Sequence, residues 1–359
     1  MGLLWLLCRS ATFVEEIYAA RVAPGISVFL TGLTGPVPFS VAEVLLAAFA
    51  ATVLFLLARG TLRVVRRKAT PVQALRSGAA RLLAPAVVIV LLFYCLWGIQ
   101  YARAPLAERL GFAEGTEVQS HLAAICGESV SVVNELYEQI HGSVDAGAPT
   151  RLPGDPDRFE EALDQGYARI AAELDLGEAF ARSRGPVKRG FLSRLMSWFG
   201  ISGYYFPFSG EANVNREVPA CQRLHAMAHE KAHQRGITHE GEANFIGFLA
   251  AAASDDPLMR YSAQLFAQRQ LLSRLMMQDG EPGGSLLRLR HPGVQRDIDD
   301  AAAFWARMEG TGFAITHVVN DTFLKANRVE GGVLSYRSSA DLILLYLTFS
   351  GHGLAGIGR

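Results

Sequence analysis

The chain carries no net charge, with 34 Lys and Arg against 34 Asp and Glu in 359 residues. Without a basic excess, nothing favours a polyanionic partner, and no nucleic-acid role is expected. Cysteine is scarce. Cys8, Cys95, Cys126 and Cys221 include no Cys-x-x-Cys pair, which disfavours a thiolate metal site. Cys126 and Cys221 fall in the polar part of the chain. A disulfide between them and two unrelated buried thiols are both open readings. Internal repeats and low-complexity tracts are missing, and the scattered aromatic residues build no stacking platform. Apolar bulk is what the sequence has in excess: half of its residues are hydrophobic and its mean hydropathy is positive.

That bulk is concentrated in two runs, Val41–Ala58 and Leu82–Ile99. Each is about 18 residues, near the lower limit for crossing a bilayer core. Glu43 is the one charge in the first run. Pro85 falls in the first turn of the second, where proline is tolerated, and Tyr94, Trp97 and Tyr101 read as an interfacial aromatic belt at its far end. Between the runs, residues 59–81 carry Arg59, Arg63, Arg66, Arg67, Lys68, Arg76 and Arg81 with no acid. Positive charge retained on the cytoplasmic side puts this loop inside and everything after Gln100 outside. Residues 1–40 hold a Gly- and Pro-rich stretch, Pro24–Phe39, expected to lie along the outer membrane surface. The domain expectation is therefore an N-terminal segment (1–40), two transmembrane helices (41–101) and an extracytoplasmic domain (102–359). The last has helical patterns at Ser120–His141, Asp157–Ala181, Pro219–Arg235, Glu240–Ser254, Asp256–Gln278 and Asp297–Met308, and a packed apolar run at Leu342–Phe349. The fold class is mainly α with a small β element.

The chemistry is carried by His229-Glu230-Lys231-Ala232-His233, an HExxH motif. On a helix, positions i and i+4 share a face, so both imidazoles reach one ion. Glu230 then reaches a water at that ion as general base, and zinc is the expected cofactor. Pro219 suits the helix start and Gly236 its end. The motif alone is weak, recurring by chance in roughly one chain in twenty. A third ligand is needed. Glu240 leads, with Asn244 one turn on to accept the free N–H of a ligand histidine. Glu242 and His239 stay open as alternatives, since Gly236 and His239 also complete an HExxHxxGxxH spelling. His225 lies one turn before His229 and reads as a neighbour to the site. Tyr205, His317 and Tyr336 are candidates to polarise a scissile carbonyl. Upstream, Tyr204–Asn215 reads as an aromatic turn and a short strand. Glu211, Ala212, Asn213, Val214 and Asn215 are its candidate substrate-binding residues, by strand addition, with a structural hairpin as the other reading.

At Pro38–Leu46, the two apolar runs, Tyr204–Asn215, His229–Gly236, Glu240–Phe245, Phe323–Asn327 and Ser335–Tyr346, the chain resembles a family of bacterial membrane proteins known mainly as a domain of unknown function. That family is similar to gluzincin-type zinc peptidases, in which HExxH is followed by a glutamate in an ExxxD or ExxxN setting. The resemblance implies His229 and His233 as ligands, Glu230 as base, Glu240 as third ligand, and no metal role for His239. It implies a gluzincin-like domain behind a transmembrane hairpin in the bacterial cytoplasmic membrane. The expected function is a membrane-anchored zinc endopeptidase acting on membrane or envelope polypeptides. The alternative is a catalytically silent scaffold or sensor that keeps the fold.

Overall fold

The computed structural model describes residues 7–112, 121–142, 147–154, 157–278, 280–327 and 338–358. The chain opens with helix α1, Thr12–Thr34, which winds in π turns to Val22 and as an α-helix from Ala23. Pro24 sits in the first turn after this change of register. The Pro- and Gly-rich stretch Pro24–Phe39, expected along the membrane surface, is helical to Thr34. Helices α2, Val41–Val65, and α3, Pro71–Leu96, form an antiparallel hairpin. By length and composition, α1, α2 and α3 could each cross a membrane.

α2 and α3 overrun the two apolar runs. Leu, Ala and Arg are strong helix formers, and the 59–81 stretch contains few breakers. The connection shrinks to residues 66–70, so Arg59 and Arg63 end α2, and Arg76 and Arg81 begin α3. Thr70 and Gln73 make a reciprocal capping box with Pro71 between them, a restart signal readable from the sequence. Pro85 consequently falls inside α3 rather than in its first turn. At 25 and 26 residues, the helices run about 37–39 Å. A hydrocarbon core of about 30 Å leaves their basic ends in water.

Beyond the hairpin come α4 (Leu106–Arg109), α5 (Leu122–His141), α6 (Asp157–Glu173), α7 (Ser193–Trp198), strands β1 (Gly203–Phe206) and β2 (Glu211–Val214), then α8 (Ala220–Gln234) and α9 (Glu240–Ala252). The chain closes with α10 (Pro257–Gln278), α11 (Pro292–Met308), α12 (Thr311–Ala326) and α13 (Ser338–Ser350). α9 is apolar almost all round, so it must be interior, and every residue from Gly241 to Ala252 is buried. α8, α10, α6 and α13 pack around it. The apolar run near the C-terminus folds as expected: Ile343, Leu344 and Tyr346 of α13 are buried in this core. Cys126 and Cys221 are both buried free thiols, so the disulfide reading does not hold. Burial pushes each up to about 12.

The hairpin is bonded into this domain. Glu211 on β2 accepts the first amides of α2, Val41 N–H at 3.1 Å and Ala42 N–H at 2.6 Å. Glu43, fully buried, accepts Phe191 and Leu192 N–H at 2.7 and 2.9 Å. Lys188 Nζ donates to the carbonyls of Thr34, Gly35 and Val37 at the end of α1. α1 itself lies against the domain: Ser27 donates to the Gln234 carbonyl, and Glu15 pairs with Arg103.

Candidate metal centre

α8 carries the motif in its last two turns. Gly236 follows at φ +87°, a left-handed turn where a side chain would collide with Gln100. The chain reverses into α9. Gly247 of α9 faces the His229 backbone, where a Cβ would come within 2.8 Å of the His229 nitrogen. This close approach brings the start of α9 to the histidines.

Three donor atoms converge. His229 Nε2 and His233 Nε2 are 3.1 Å apart. Glu240 Oε2 lies 3.1 Å from the first and 3.7 Å from the second. Ligands at 2.0–2.1 Å on a tetrahedral zinc stand about 3.3–3.4 Å from one another. The observed edges bracket that value, so the donor set fits the ion in spacing and chemistry. His233 Nδ1 lies 2.6 Å from the Ile237 carbonyl. That carbonyl can only accept, so Nδ1 carries a proton and Nε2 is the ring nitrogen that faces the cluster. The electrostatics also ask for a cation. Burial pushes the His233 imidazolium down, yet the Glu240 and Glu230 carboxylates more than offset it and hold it up, at about 9. Burial pushes Glu240 up, and His229 and His233 reverse this to leave it well below the carboxylate range.

Glu230 borders the cluster without joining it. It is 4 % exposed, and its Oε2 has no hydrogen-bond partner among the described residues. Burial pushes it up to about 7, against the pull of His229 and His233. The Gly203 backbone lies on its other side, where a Cβ would sit 2.6 Å from Glu230 Oε1. β1 therefore runs directly past Glu230. A cavity of about 820 Å³ opens over these groups, walled by Trp97, Tyr205, His225, Val319 and Phe323 among others.

The alternatives are separated by distance and occupation. Glu242 accepts the Leu106 N–H at 2.7 Å and faces Arg109, away from the histidines. His239 precedes α9 and packs edge-on against Tyr101, outside the donor cluster. Asn244 lies beside His225, and the His233 N–H goes to Ile237, so the expected bond from a ligand histidine to Asn244 is not formed. His225 is stacked on Phe266, and burial pushes it down to about 3, which keeps it neutral. Tyr205 lines the cavity with its ring 6.5 Å from that of His233. His317 is exposed on α12 and does not line the cavity, and Tyr336 lies outside the described residues.

Glu211, Ala212, Asn213, Val214 and Asn215 are not the strand at the cleft. β2 is wholly buried, with β1 on one edge and Lys188 bridging Asn213 on the other. Both its hydrogen-bonding edges are taken, so β1 is the strand that borders the cavity. Trp97 and Tyr101 are likewise reassigned. They are buried, and Trp97 places its ring 5.8 Å from that of His233, so they wall the site instead of facing lipid. Nothing in their spacing distinguished the two roles. Leu324 of the FLKAN stretch is buried between them, and Asn327 accepts from the Tyr94 hydroxyl.

No curated protein and no solved structure matches the chain. Residues 18–344 match the family described as a protein of unknown function (DUF3810), which takes in the hairpin, the donor cluster and α12. The chain belongs to that family.

Proposed function

We propose that the chain is a membrane-anchored zinc peptidase of gluzincin type. The observation that carries this reading is the convergence of His229 Nε2, His233 Nε2 and Glu240 Oε2 at zinc-ligand spacing beside the buried Glu230 carboxylate, whose Oε2 has no hydrogen-bond partner among the described residues. Those three residues would hold zinc, which supplies Lewis-acid polarisation of a carbonyl and lowers the pKa of water. Glu230 accepts the proton of the attacking water and passes it to the leaving amine. Its burial fits this work, because a base near pH 7 takes and gives a proton with little penalty. β1 offers an extended substrate an unpaired edge past Glu230 and so orients the scissile bond. Tyr205 stands at the cavity wall as a donor toward the carbonyl oxygen.

The bilayer is the first partner, a peptide or protein the second. The basic turn at Arg66, Arg67 and Lys68 supports a cytoplasmic connection, with both hairpin ends and the metal site on the outer face of a bacterial cytoplasmic membrane. The test measures zinc content and cleavage of a mixed peptide library for the wild type and Glu230→Gln. Zinc in both with cleavage confined to the wild type supports the peptidase. Zinc in both and cleavage in neither favours the silent scaffold, and absence of stoichiometric zinc overturns the reading.

A further inference from the structure

The hairpin ends where the metal cavity begins. Phe93, still inside α3, lines that cavity, and Trp97, the first residue after α3, is a ring neighbour of the ligand His233. One helical turn is about 5.4 Å, so the donors lie within about two turns of the end of the apolar helix. The surface around the hairpin's two ends is apolar as well. The lead into α7 is tied to the start of α2 through the Glu43 bonds to Phe191 and Leu192; Phe191 there and Leu195 and Trp198 on α7 are exposed. α12 starts against Trp198, through Gly312, and ends with Phe323 on Phe93, 5.8 Å between ring centroids. Between those points it exposes Ile315 and Val318, at 46 % and 64 %. α1 faces the domain with Ser27, Thr31 and Thr34 and turns Phe29 and Leu33 outward. Water alone does not sustain so many exposed large apolar groups. They continue directly from helices whose lipid-facing side chains are equally exposed, so the same bilayer leaflet covers both.

We propose that this apolar rim seats the domain in the outer leaflet, and that the site cleaves membrane-anchored polypeptides within a few residues of where they leave the bilayer. The inference rests on the peptidase reading above. It adds the substrate class: a chain held in the same membrane, fed as an extended segment along β1 past Glu230. A free edge strand beside the base suits a polypeptide and not a lipid headgroup.

The test uses the full-length, zinc-loaded protein in vesicles of phosphatidylethanolamine and phosphatidylglycerol. One cleavable sequence, chosen from the soluble library, is presented in three forms. It is free in solution, or joined to a single-span peptide by a spacer of about three residues, roughly 10 Å extended, or by one of about 25 residues, roughly 80 Å. The short-spacer substrate should be cut at least as fast as the long-spacer one, and on the order of tenfold or more faster than the free peptide. Cleavage of the long spacer with the short one spared, or equal rates for free and tethered forms, overturns the inference and leaves the peptidase intact. Failure to cut all three removes the peptidase reading and the inference with it. A second measurement is independent of activity. Nitroxides attached at Leu195→Cys and Val318→Cys, with Cys8 and Cys95 replaced by Ser, should be relaxed more by oxygen than by an aqueous nickel chelate. Stronger relaxation by nickel at both positions overturns the seat.

Discussion

The two faces of α8 are both lined with buried charge, and they handle it in opposite ways. On one face, Lys231 Nζ is fully buried and donates to Glu160 at 3.0 Å and to the Gly185 carbonyl, and it pairs with Asp164 at 3.0 Å. Arg235 adds Asp164, the Phe180 carbonyl and a stacked Tyr167 ring. Each cation there has several partners, as a buried ion must. On the other face, His229 Nδ1 and Glu230 Oε2 have none among the described residues, and three donor atoms point at one spot. A folded chain rarely leaves buried polar atoms unpaired without a use for them. The satisfied face fastens the helix, and the unsatisfied face is where a ligand completes the arrangement.

Five substitutions probe that division, and the largest effect falls on the unsatisfied face. Glu230→Gln keeps shape and removes the base, so cleavage should drop by about 10²–10⁴-fold in kcat. Zinc content and the thermal midpoint should stay where they are. A loss of zinc would show that Glu230 belongs with the ligands. Glu240→Ala should weaken zinc binding by at least about 100-fold, more than removal of an outer hydrogen-bond partner does. Glu242→Ala, two residues on, should leave zinc affinity unchanged, and competition with a chromogenic chelator reads both. On the satisfied face, Lys231→Met removes the buried cation shared by Glu160 and Asp164, leaving Glu160 the Val187 N–H and Asp164 the Arg235 guanidinium. Stability should fall by about 3 kcal/mol, measured by denaturation in detergent, with zinc stoichiometry intact in the folded fraction. Smallest is His225→Phe. This ring is neutral, stacked and outside the cluster, so the change should cost less than about 1.5 kcal/mol and leave zinc affinity alone.

The same contrast explains what could be read from the sequence. His229 and His233 were legible because helical spacing puts them on one face, and Glu230 because it adjoins His229 in the motif. Glu240 was legible as the leading candidate, but its separation from Glu242 and His239 depends on how α9 meets α8. That is set by Gly247, which carries no motif of its own. The hairpin was legible in kind and misjudged in length, since basic residues with good helix propensity extend an apolar helix as easily as they end it. β2 looked like an edge because its residues are polar. The Lys188 bridge that closes its second edge comes from a distant part of the chain and leaves no trace in the local pattern. Trp97 and Tyr101 look alike whether they face headgroups or a cavity, and only the position of α12 decides.

The exchange of carboxylates between hairpin and domain bears on how the protein can be handled in a cell. Glu211 serves amides of α2, Glu43 serves amides next to α7, and Lys188 serves carbonyls at the end of α1. A protease that severed the chain before Gln100 and stripped away its first hundred residues would take the three carbonyls that accept from Lys188 and both backbone amides that donate to Glu211, leaving Glu211 the Ser209 hydroxyl. The domain is therefore not cargo on a leash. Its fold is tied to the helices that precede it, so removing them should destabilise the domain itself.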